Sequence, residues 1–181
     1  MVFWVWNNLL STEEIVEINT VCKNNIDILH FDNPAENVIK TAKVNLVAWR
    51  YLQPSLENIS ELWLHINQRK FGYNLYPMMN RDFWNFNIYS SKNNGEYGYH
   101  LDVDYERVSD LKLTGIVNIS DEPYEGGEFI AFYDDEFKEI PELSRPGSSI
   151  LLRGGTIHKV NPVTEGTRKT LSFWLYGPPL V

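Results

Sequence analysis

Two residues near the middle of the chain, His100 and Asp102, have side chains that can bind a metal ion. On a β-strand, positions i and i+2 project to the same side, so this imidazole and this carboxylate would converge. A second imidazole, His158, follows in a separate strand-like segment. Two neutral imidazoles and one carboxylate form a facial triad, which leaves coordination positions on Fe(II) open for oxygen chemistry. Each histidine could instead be a hydrogen-bonded structural residue, and spacing alone leaves both interpretations open.

The last predicted strand carries a cation, Arg168, on a mostly polar face. If this face points into a barrel, it lines a ligand cavity, because polar side chains are costly in a dry core. A buried guanidinium needs an anion, and its planar fork fits a carboxylate with two hydrogen bonds. The alternative is a surface strand whose arginine faces water. The polar face comprises Arg168, Thr170, Ser172 and Trp174, and the opposite face comprises Lys169, Leu171, Phe173 and Leu175.

The first part of the chain is predicted to supply two helices that support these strands. Ser11 and Glu14 have the spacing of a capping box, which marks the start of a helix. Residues 31–43 are predicted to form a loop, and Ser55 is expected to cap the second helix. The predicted apolar stripes are Ile15, Ile18 and Cys22 on the first helix, and Leu56, Ile59, Trp63 and Ile66 on the second.

Most of the remaining chain consists of short segments separated by Gly, Pro and Asp turns, a pattern typical of β-strands. Helices first and many strands afterwards favour a mostly β fold with α (α+β), in which a jelly-roll barrel carries helices on one outer face. No repeat or linker is present in the sequence, so a single domain is expected over residues 1–181. The predicted strands are Phe3–Trp6, Val44–Trp49, Phe83–Tyr89, Tyr99–Val103, Lys112–Ile119, Glu128–Tyr133, Ser149–Leu152, Thr156–Val160 and Arg168–Tyr176.

Composition narrows the class of protein. The formal net charge of −8 argues against a broad nucleic-acid or anionic-membrane surface. No apolar run has membrane-spanning length. The single cysteine, Cys22, excludes a disulfide framework and is expected to be a small buried hydrophobe. The N-terminal segment lacks the pattern of a signal peptide, so a cytoplasmic location is expected. The many Asn, Lys and Ile residues are typical of an AT-rich genome, microbial or viral.

Four segments together resemble the Fe(II)- and 2-oxoglutarate-dependent oxygenases of the prolyl 4-hydroxylase-like group, specifically its PKHD-type hydroxylase branch. VNLVAW is similar to the strand before that group's long helix, and FNIYSSKNNGEYGYHLD to its Tyr…Tyr-x-x-His-x-Asp segment. LKLTGIVNISDEPYEGGEF resembles its strand, acidic turn and GGE hairpin. RPGSSILLRGGTIHKVNPVTEGTRKTLSFWLYGP resembles its closing His…Pro-Val-x-x-Gly-x-Arg element. The resemblance implies a double-stranded β-helix, the cupin-like jelly-roll barrel, with N-terminal supporting helices.

The resemblance also implies roles for individual residues. The implied Fe(II) ligands are His100, Asp102 and His158, and the implied 2-oxoglutarate contacts are Arg168, Tyr89, Ser172 and Thr170. Arg168 would hold the distal carboxylate of 2-oxoglutarate. Asn118 stands where many prolyl hydroxylases have a co-substrate-binding tyrosine, and it is included among the implied co-substrate contacts. Some related enzymes use a lysine for the distal carboxylate, but Arg168 makes Lys112 unnecessary, and Lys112 is expected at the surface or in a hairpin.

The implied reaction is hydroxylation of an unactivated C–H bond with dioxygen, with 2-oxoglutarate as co-substrate. Whether ascorbate is also bound stays open, as does the oligomeric state. The implied substrate is a prolyl residue of a peptide or protein, with no nucleic acid or membrane partner. The loop 31–43 and the segment Asp104–Asp110 are implied as lids. Candidate substrate contacts are Tyr97, Tyr99, Tyr105, Arg107 and Trp174, although packing in the core or at the rim is the alternative for each aromatic side chain.

Three alternatives remain at this point. The same chemistry could act on a small molecule such as a free amino acid, which a deep closed pocket would favour over an open groove. A non-catalytic jelly-roll binding module would carry no metal, and side chains would fill its cavity. A nucleic-acid demethylase is disfavoured by the net charge of −8.

Overall fold

The structure is a computed structural model that describes residues 1–27, 38–102 and 110–179. Its described part contains two α-helices, twelve strands, and short helical turns at Asn67–Phe71, Ser91–Asn93 and Pro141–Ser144. In chain order the elements are β1 (Phe3–Trp6), α1 (Thr12–Asn24), β2 (Ile26–Asp27), β3 (Lys43–Ala48), α2 (Trp49–Ile66), β4 (Phe83–Ser90), β5 (Tyr97–His100), β6 (Leu111–Asn118), β7 (Tyr124–Gly126), β8 (Phe129–Tyr133), β9 (Glu136–Glu139), β10 (Ser149–Arg153), β11 (His158–Val160) and β12 (Val163–Tyr176).

The strands form two antiparallel sheets. The larger sheet has the order β1-β10-β6-β12-β4-β3-β2, with β7 paired to β12, and the smaller has the order β5-β11-β8-β9. Buried side chains from both sheets, such as Ile116 and Leu152 of the larger and Phe129 and Ala131 of the smaller, belong to one apolar cluster. The sheets therefore face each other, and the predicted mostly β architecture with helices outside a two-sheet barrel is confirmed.

A second apolar cluster joins the helices to the outer face of the larger sheet. At its centre Trp84 of β4 stacks on Trp49 and Trp63 of α2, with ring centroids 5.3 Å apart in each case. The ring of Trp63 lies directly over Gly115 of β6, where an added Cβ would be 2.2 Å from the indole. The approach is possible because glycine has no side chain. Leu171, Phe173 and Leu175 of β12 belong to this cluster, as the alternation predicted.

Helix α1 begins as its sequence predicted. The amide of Ser11 donates to Glu14 Oε2 at 2.7 Å, and the amide of Glu14 donates to Ser11 Oγ at 3.2 Å, which completes the capping box. The buried amide of Asn19 donates to the Ile119 carbonyl at 2.7 Å and ties the helix to the sheet. Cys22 is buried, and burial raises the pKa of its thiol to about 12, so its interpretation as a small buried hydrophobe is confirmed.

The prediction that Ser55 caps the second helix is wrong, because α2 begins at Trp49 and contains Pro54. Its first backbone amides donate instead to carbonyl oxygens of the turn that precedes β4. The Trp49 amide donates to the Asp82 carbonyl at 2.7 Å, and the Arg50 amide to the Asn80 carbonyl at 3.2 Å. Backbone carbonyls thus replace a side-chain cap, which no local sequence signal shows. The predicted stripe of Leu56, Ile59, Trp63 and Ile66 is buried.

Most strand predictions agree with the structure within a few residues, but two expectations change. The strand predicted at Tyr99–Val103 is Tyr97–His100, so Asp102 lies in a bend beyond its end, and Val103 lies outside the described residues. Lys112 is not a surface residue, since only 5% of it is exposed. The physical reason is that β6 is an interior strand, flanked by β10 and β12. No helix in the described part of the chain has both the length and the apolar character to cross a membrane.

Candidate metal centre and adjoining cavity

His100, Asp102 and His158 come together between the two sheets. His100 at the end of β5 is the direct partner of His158 in the β5–β11 register, which sets the two imidazoles side by side. His100 Nε2 lies 3.6 Å from Asp102 Oδ1, and His158 Nε2 lies 3.7 Å from Asp102 Oδ2. One potential ligand atom from each of the three residues lies within 4.8 Å of the others, so they can share a single ion.

Backbone carbonyls orient both imidazoles toward this point. His100 Nδ1 is 2.8 Å from the Gly98 carbonyl, and His158 Nδ1 is 2.9 Å from the Thr156 carbonyl. A carbonyl oxygen only accepts, so these contacts place the proton of a neutral imidazole on Nδ1 and leave the Nε2 lone pair for a metal. A carbonyl partner on the second ring nitrogen is the usual arrangement of a metal-binding histidine.

Asp102 is oriented by a side chain of the opposite sheet. Thr114 Oγ1, on β6, donates to Asp102 Oδ2 at 2.6 Å. Because Asp102 lies in a bend beyond β5, this hydrogen bond supplies an orientation that a strand backbone would otherwise give. Thr114 is itself buried, so the bond is shielded from water.

The surroundings keep His100 neutral. Burial, followed by the neighbouring His158, lowers the pKa of His100 from 6.5 to about 4, and the charge of Asp102 only partly opposes this. A neutral imidazole is the form that binds a metal ion. The site therefore retains a metal-binding form of His100 at pH values where a free imidazole is largely protonated.

Arg168 is fully buried, with 0% of its surface exposed. Among the described residues, none accepts a hydrogen bond from its Nε, Nη1 or Nη2. Its guanidinium carbon lies 5.4 Å from the centroid of the Tyr89 ring, and Tyr89 is its direct neighbour across the β12–β4 pair. A buried cation without an anion is costly, so the guanidinium fits a site that takes a carboxylate from a ligand.

Arg168 and the three potential metal ligands line the same cavity, which has a volume of about 330 Å³. Its polar wall lies on β4 and β12. The amide of Asn87 donates to Ser172 Oγ at 3.0 Å and to Thr170 Oγ1 at 3.3 Å. The other lining residues are Lys40, Asn85, Tyr89, Tyr97, Leu101, Thr114, Ile116, Phe129, Val160 and Trp174.

The structure brings most predicted site residues to this cavity and leaves others away from it. Those that line it are His100, Asp102, His158, Arg168, Tyr89, Thr170, Ser172, Tyr97 and Trp174. Asn118 does not line it, because its amide donates to Tyr124 and to the Leu143 carbonyl and accepts from the Ser120 amide. Tyr99 projects to the outside, where it packs on Phe137 at 4.5 Å between ring centroids.

Several predictions fall on residues that the structure does not describe. Tyr105 and Arg107, proposed as substrate contacts, lie outside the described residues, as does most of the segment Asp104–Asp110. Residues 31–37 of the loop predicted at 31–43 do too. In its described part, Lys40 forms an isolated bridge with Tyr97, and β3 begins at Lys43.

The cavity residues Asn85 and Asn87 were not predicted from the sequence. Their signal was present in β4, where Asn85, Asn87 and Tyr89 alternate with the apolar residues Trp84, Phe86 and Ile88. This alternation of period two predicts one polar face and one core face, as on β12. Thr114 of β6 was missed as well, although Lys112, Thr114 and Asn118 alternate on that strand with Leu111, Leu113 and Val117.

The residues fit Fe(II) and 2-oxoglutarate as ligands. Two imidazole nitrogens and one carboxylate are the donor set of mononuclear Fe(II) oxygenases, and they leave coordination positions open. The guanidinium of Arg168, which has no hydrogen-bond acceptor among the described residues, supplies the charge that a dicarboxylic keto acid needs at its far end.

Comparisons with known proteins agree with this chemistry. The family model of the 2OG-Fe(II) oxygenase superfamily matches residues 84–176, about half of the chain and all of the proposed site. The chain therefore belongs to the 2OG-Fe(II) oxygenase superfamily, whose cofactor and co-substrate are Fe(II) and 2-oxoglutarate.

A relative from Delftia acidovorans, named PKHD-type hydroxylase, is 35% identical over 100 residues, which cover 51% of this chain and 42% of the relative. The chain thus matches less than half the length of that protein. A Pseudomonas putida prolyl-4-hydroxylase has the same fold, with a TM-score of 0.72, 18% identity, and coverage of 97% of this chain and 92% of that one.

A prolyl hydroxylase from Trichoplax adhaerens, in complex with a peptide fragment of the hypoxia inducible factor oxygen degradation domain, matches with a TM-score of 0.68. The two sequences are 14% identical, and the match covers 96% of this chain and 83% of the Trichoplax adhaerens chain. The predicted double-stranded β-helix fold is confirmed by these matches.

Proposed function

We propose that the protein is an Fe(II)- and 2-oxoglutarate-dependent hydroxylase that acts on a prolyl residue of a peptide or protein. The observation that carries this proposal is the meeting of the His100, Asp102 and His158 cluster with the Arg168 guanidinium in one cavity, where no described residue accepts a hydrogen bond from that guanidinium. Two histidines and an aspartate alone could be hydrogen-bonded structural residues, whereas a buried guanidinium without an anion has no such explanation. Together they form a metal site beside a carboxylate site, as a keto acid that chelates the metal requires.

Each side chain has a defined part in this proposal. His100 Nε2, Asp102 and His158 Nε2 would hold Fe(II), and Arg168 would bind the distal carboxylate of 2-oxoglutarate. The hydroxyls of Thr170 and Ser172, already aligned by Asn87, would hydrogen-bond the co-substrate, with Tyr89 beside the guanidinium. When bound, Fe(II) supplies the activation of dioxygen that couples oxidation of 2-oxoglutarate to hydroxylation of the substrate.

Two further observations support a peptide substrate. The structures that share the fold include proteins named as prolyl hydroxylases, one of them in complex with a peptide. At the cavity of this chain, Trp174 lines part of the wall, and its indole would provide an aromatic surface for a proline ring. The Tyr97 ring is already covered, because it stacks on His100 at 3.5 Å and Lys40 Nζ lies 4.4 Å from its centroid.

If the protein were a non-catalytic binding module, its cavity would be expected to be filled by side chains. The cavity instead has a volume of about 330 Å³ and a polar wall that includes Arg168, whose guanidinium donates no hydrogen bond to any residue in the described part of the chain. In a barrel that binds no ligand, a buried cation without a neighbouring anion would only lower the stability of the fold. This observation favours the oxygenase proposal over the module.

Anaerobic addition of Fe(II) and 2-oxoglutarate tests the site directly, because the metal chelate has a weak visible charge-transfer band. We expect the band in the wild-type protein, its loss in His100→Ala and Asp102→Ala, and its weakening in Arg168→Ala. The matched control is His65→Ala, an exposed histidine of α2, which should retain the full band. Absence of the band from wild-type protein at saturating metal and keto acid would refute the proposal.

The substrate is tested separately by succinate release with peptides that contain a single proline. Release that depends on the proline, together with a mass increase of one oxygen on the peptide, supports prolyl hydroxylation. Release driven only by free amino acids would support the small-molecule alternative and overturn the peptide substrate.

A further inference from the structure

A second pocket, with a volume of about 530 Å³, lies next to the cavity. Trp174 of β12 lines both the cavity and this pocket. Phe83, Asn85 and Asn87 occupy alternate positions of β4, and of these Phe83 lines the pocket while Asn85 and Asn87 line the cavity. The cavity and the pocket are therefore neighbours that share the Trp174 side chain. We call this second site the apolar pocket, after the side chains of Tyr76, Met79, Phe83, Trp174 and Tyr176 in its wall. The charged residues Arg81 and Asp82 also line it.

Backbone contacts hold the wall of the apolar pocket in place. The Tyr76 amide donates to the Tyr176 carbonyl at 2.8 Å, and the Asp82 amide donates to the Met79 carbonyl at 2.8 Å. At Gly177 an added Cβ would lie 1.9 Å from the Asn74 carbonyl oxygen, so only glycine permits this close approach. The pocket is preformed, which reduces the entropy that a ligand must lose on binding.

Four large apolar side chains of the pocket are exposed to solvent. The exposed fractions are 52% for Tyr76, 49% for Met79, 40% for Phe83 and 46% for Tyr176. Single exposed apolar residues are ordinary, but a concave group of them marks a binding site for an apolar ligand. Aromatic rings and a flexible thioether together adapt to apolar side chains of different shapes.

We propose that the apolar pocket binds a large apolar side chain, aromatic or aliphatic, of the substrate peptide, close in sequence to the residue that is hydroxylated. This inference rests on the proposed peptide substrate. Continuity with the cavity across Trp174 identifies the occupant, because a chain whose target residue lies at the metal site must pass over this neighbouring surface. A free amino acid would be confined to the cavity and would leave the apolar pocket uncovered.

The test uses fluorescein-labelled peptides of glycine and serine around one proline, with phenylalanine placed in turn at each of the two positions on either side. Binding to the protein with Mn(II) and 2-oxoglutarate is measured by fluorescence anisotropy, and succinate release is measured with Fe(II). We expect at least one phenylalanine peptide to bind about tenfold more tightly than the serine parent.

In Met79→Ser and Tyr176→Ser this preference should fall below about twofold, whereas the KM for 2-oxoglutarate stays unchanged. The matched control is Leu64→Ser, which removes an exposed apolar side chain from α2 and should keep the preference. Equal binding of all peptides to the wild type, including no detectable binding of any, overturns the apolar pocket.

The two proposals fail in different ways in this experiment. Selective binding without succinate release would refute prolyl hydroxylation but support the apolar pocket. Hydroxylation of all peptides with the same KM would refute the pocket but support the proposed function.

Discussion

Thr114 Oγ1 donates a hydrogen bond of 2.6 Å to Asp102 Oδ2, and this bond joins the larger sheet to the candidate metal centre. Asp102 has no strand neighbours of its own, because β5 ends at His100. Its carboxylate lies between the two imidazoles, with Oδ1 facing His100 and Oδ2 facing His158. By occupying one lone pair of Oδ2, Thr114 fixes the rotation of the carboxylate, so we regard it as a positioning residue for metal binding.

Replacing this hydroxyl should weaken the metal site without changing its ligands. In Thr114→Val, which keeps the shape but removes the donor, we expect the Kd for Fe(II) or Co(II) to rise about tenfold. Thr114→Ser keeps the donor and should restore most of the affinity. Anaerobic metal titration measures both. If valine and serine variants bind the metal equally, the hydroxyl does not position Asp102.

Replacing the charged side chain of Arg168 should weaken co-substrate binding but increase the stability of the ligand-free protein. In Arg168→Met we expect the KM for 2-oxoglutarate to rise by about 100-fold, because the distal carboxylate loses its charged partner. The ligand-free protein should lose no stability and should gain some, since the substitution removes a buried cation with no acceptor within residues 1–27, 38–102 and 110–179. Thermal unfolding with and without 2-oxoglutarate measures both effects, and only the wild type should be stabilised by the keto acid.

Two controls separate charge from volume in this experiment. Arg168→Lys keeps a charge but not the planar fork, so its KM should lie between those of the wild type and the methionine variant. Arg69→Met removes an exposed guanidinium and should change neither the KM nor the effect of 2-oxoglutarate on stability. A KM for Arg168→Met within threefold of wild type, roughly the limit of a weak contact, would assign the carboxylate to another residue.

The ligand-free protein should lose stability as the pH falls from about 6.5 to about 4. Burial and His158 lower the pKa of His100 from 6.5 to about 4 in the folded state. In this range the unfolded chain binds a proton that the folded protein does not, so the free energy of unfolding decreases with decreasing pH. Below about pH 4 both states are protonated, and this contribution is fully lost.

Chemical denaturation between pH 7 and pH 4 measures this dependence. His100→Gln removes the titrating group and should reduce the slope of stability against pH, whereas His65→Gln, at an exposed position, should not. Equal slopes for the wild type and His100→Gln would show that the pKa of His100 is not lowered.

Much of the fold was predictable because its signals are local and periodic. The capping box at Ser11 and Glu14 and the alternation on β12 each depend on a few neighbouring residues, and both are confirmed. The start of α2 was not predictable, because its first amides bond to carbonyls of Asn80 and Asp82, which are distant in sequence. Lys112 was misplaced for the same reason, since burial depends on which strands flank β6.

In the candidate site too, some residues could be predicted from the sequence and others could not. Residue types and the family resemblance identified the three potential metal ligands and Arg168, and the structure brings all four to one cavity. The hydrogen bonds of the Thr114 hydroxyl and the Asn87 amide go to residues outside their own strands, and these partners cannot be read from spacing along the chain. The shape of the apolar pocket likewise requires the contact of Tyr76 with Tyr176.

Asn118 provides the last prediction, because its position was expected to contact the co-substrate and its side chain is instead fully used within the protein. Its amide nitrogen donates to Tyr124 Oη at 3.0 Å and to the Leu143 carbonyl at 2.9 Å, and its Oδ1 accepts from the Ser120 amide at 3.0 Å. In Asn118→Leu these buried partners lose their hydrogen bonds, so we expect a loss of about 2 kcal/mol in the free energy of unfolding.

The KM of Asn118→Leu for 2-oxoglutarate should stay within about twofold of wild type, because nothing that faces the cavity is removed. Tyr124→Phe is the milder companion: it removes the hydroxyl that accepts from Asn118 and donates to the Ser144 carbonyl at 2.7 Å, and should cost about 1 kcal/mol. Denaturant unfolding and succinate release on the same samples measure both quantities. A large rise in KM with unchanged stability would return Asn118 to the co-substrate site, where the family resemblance first placed it.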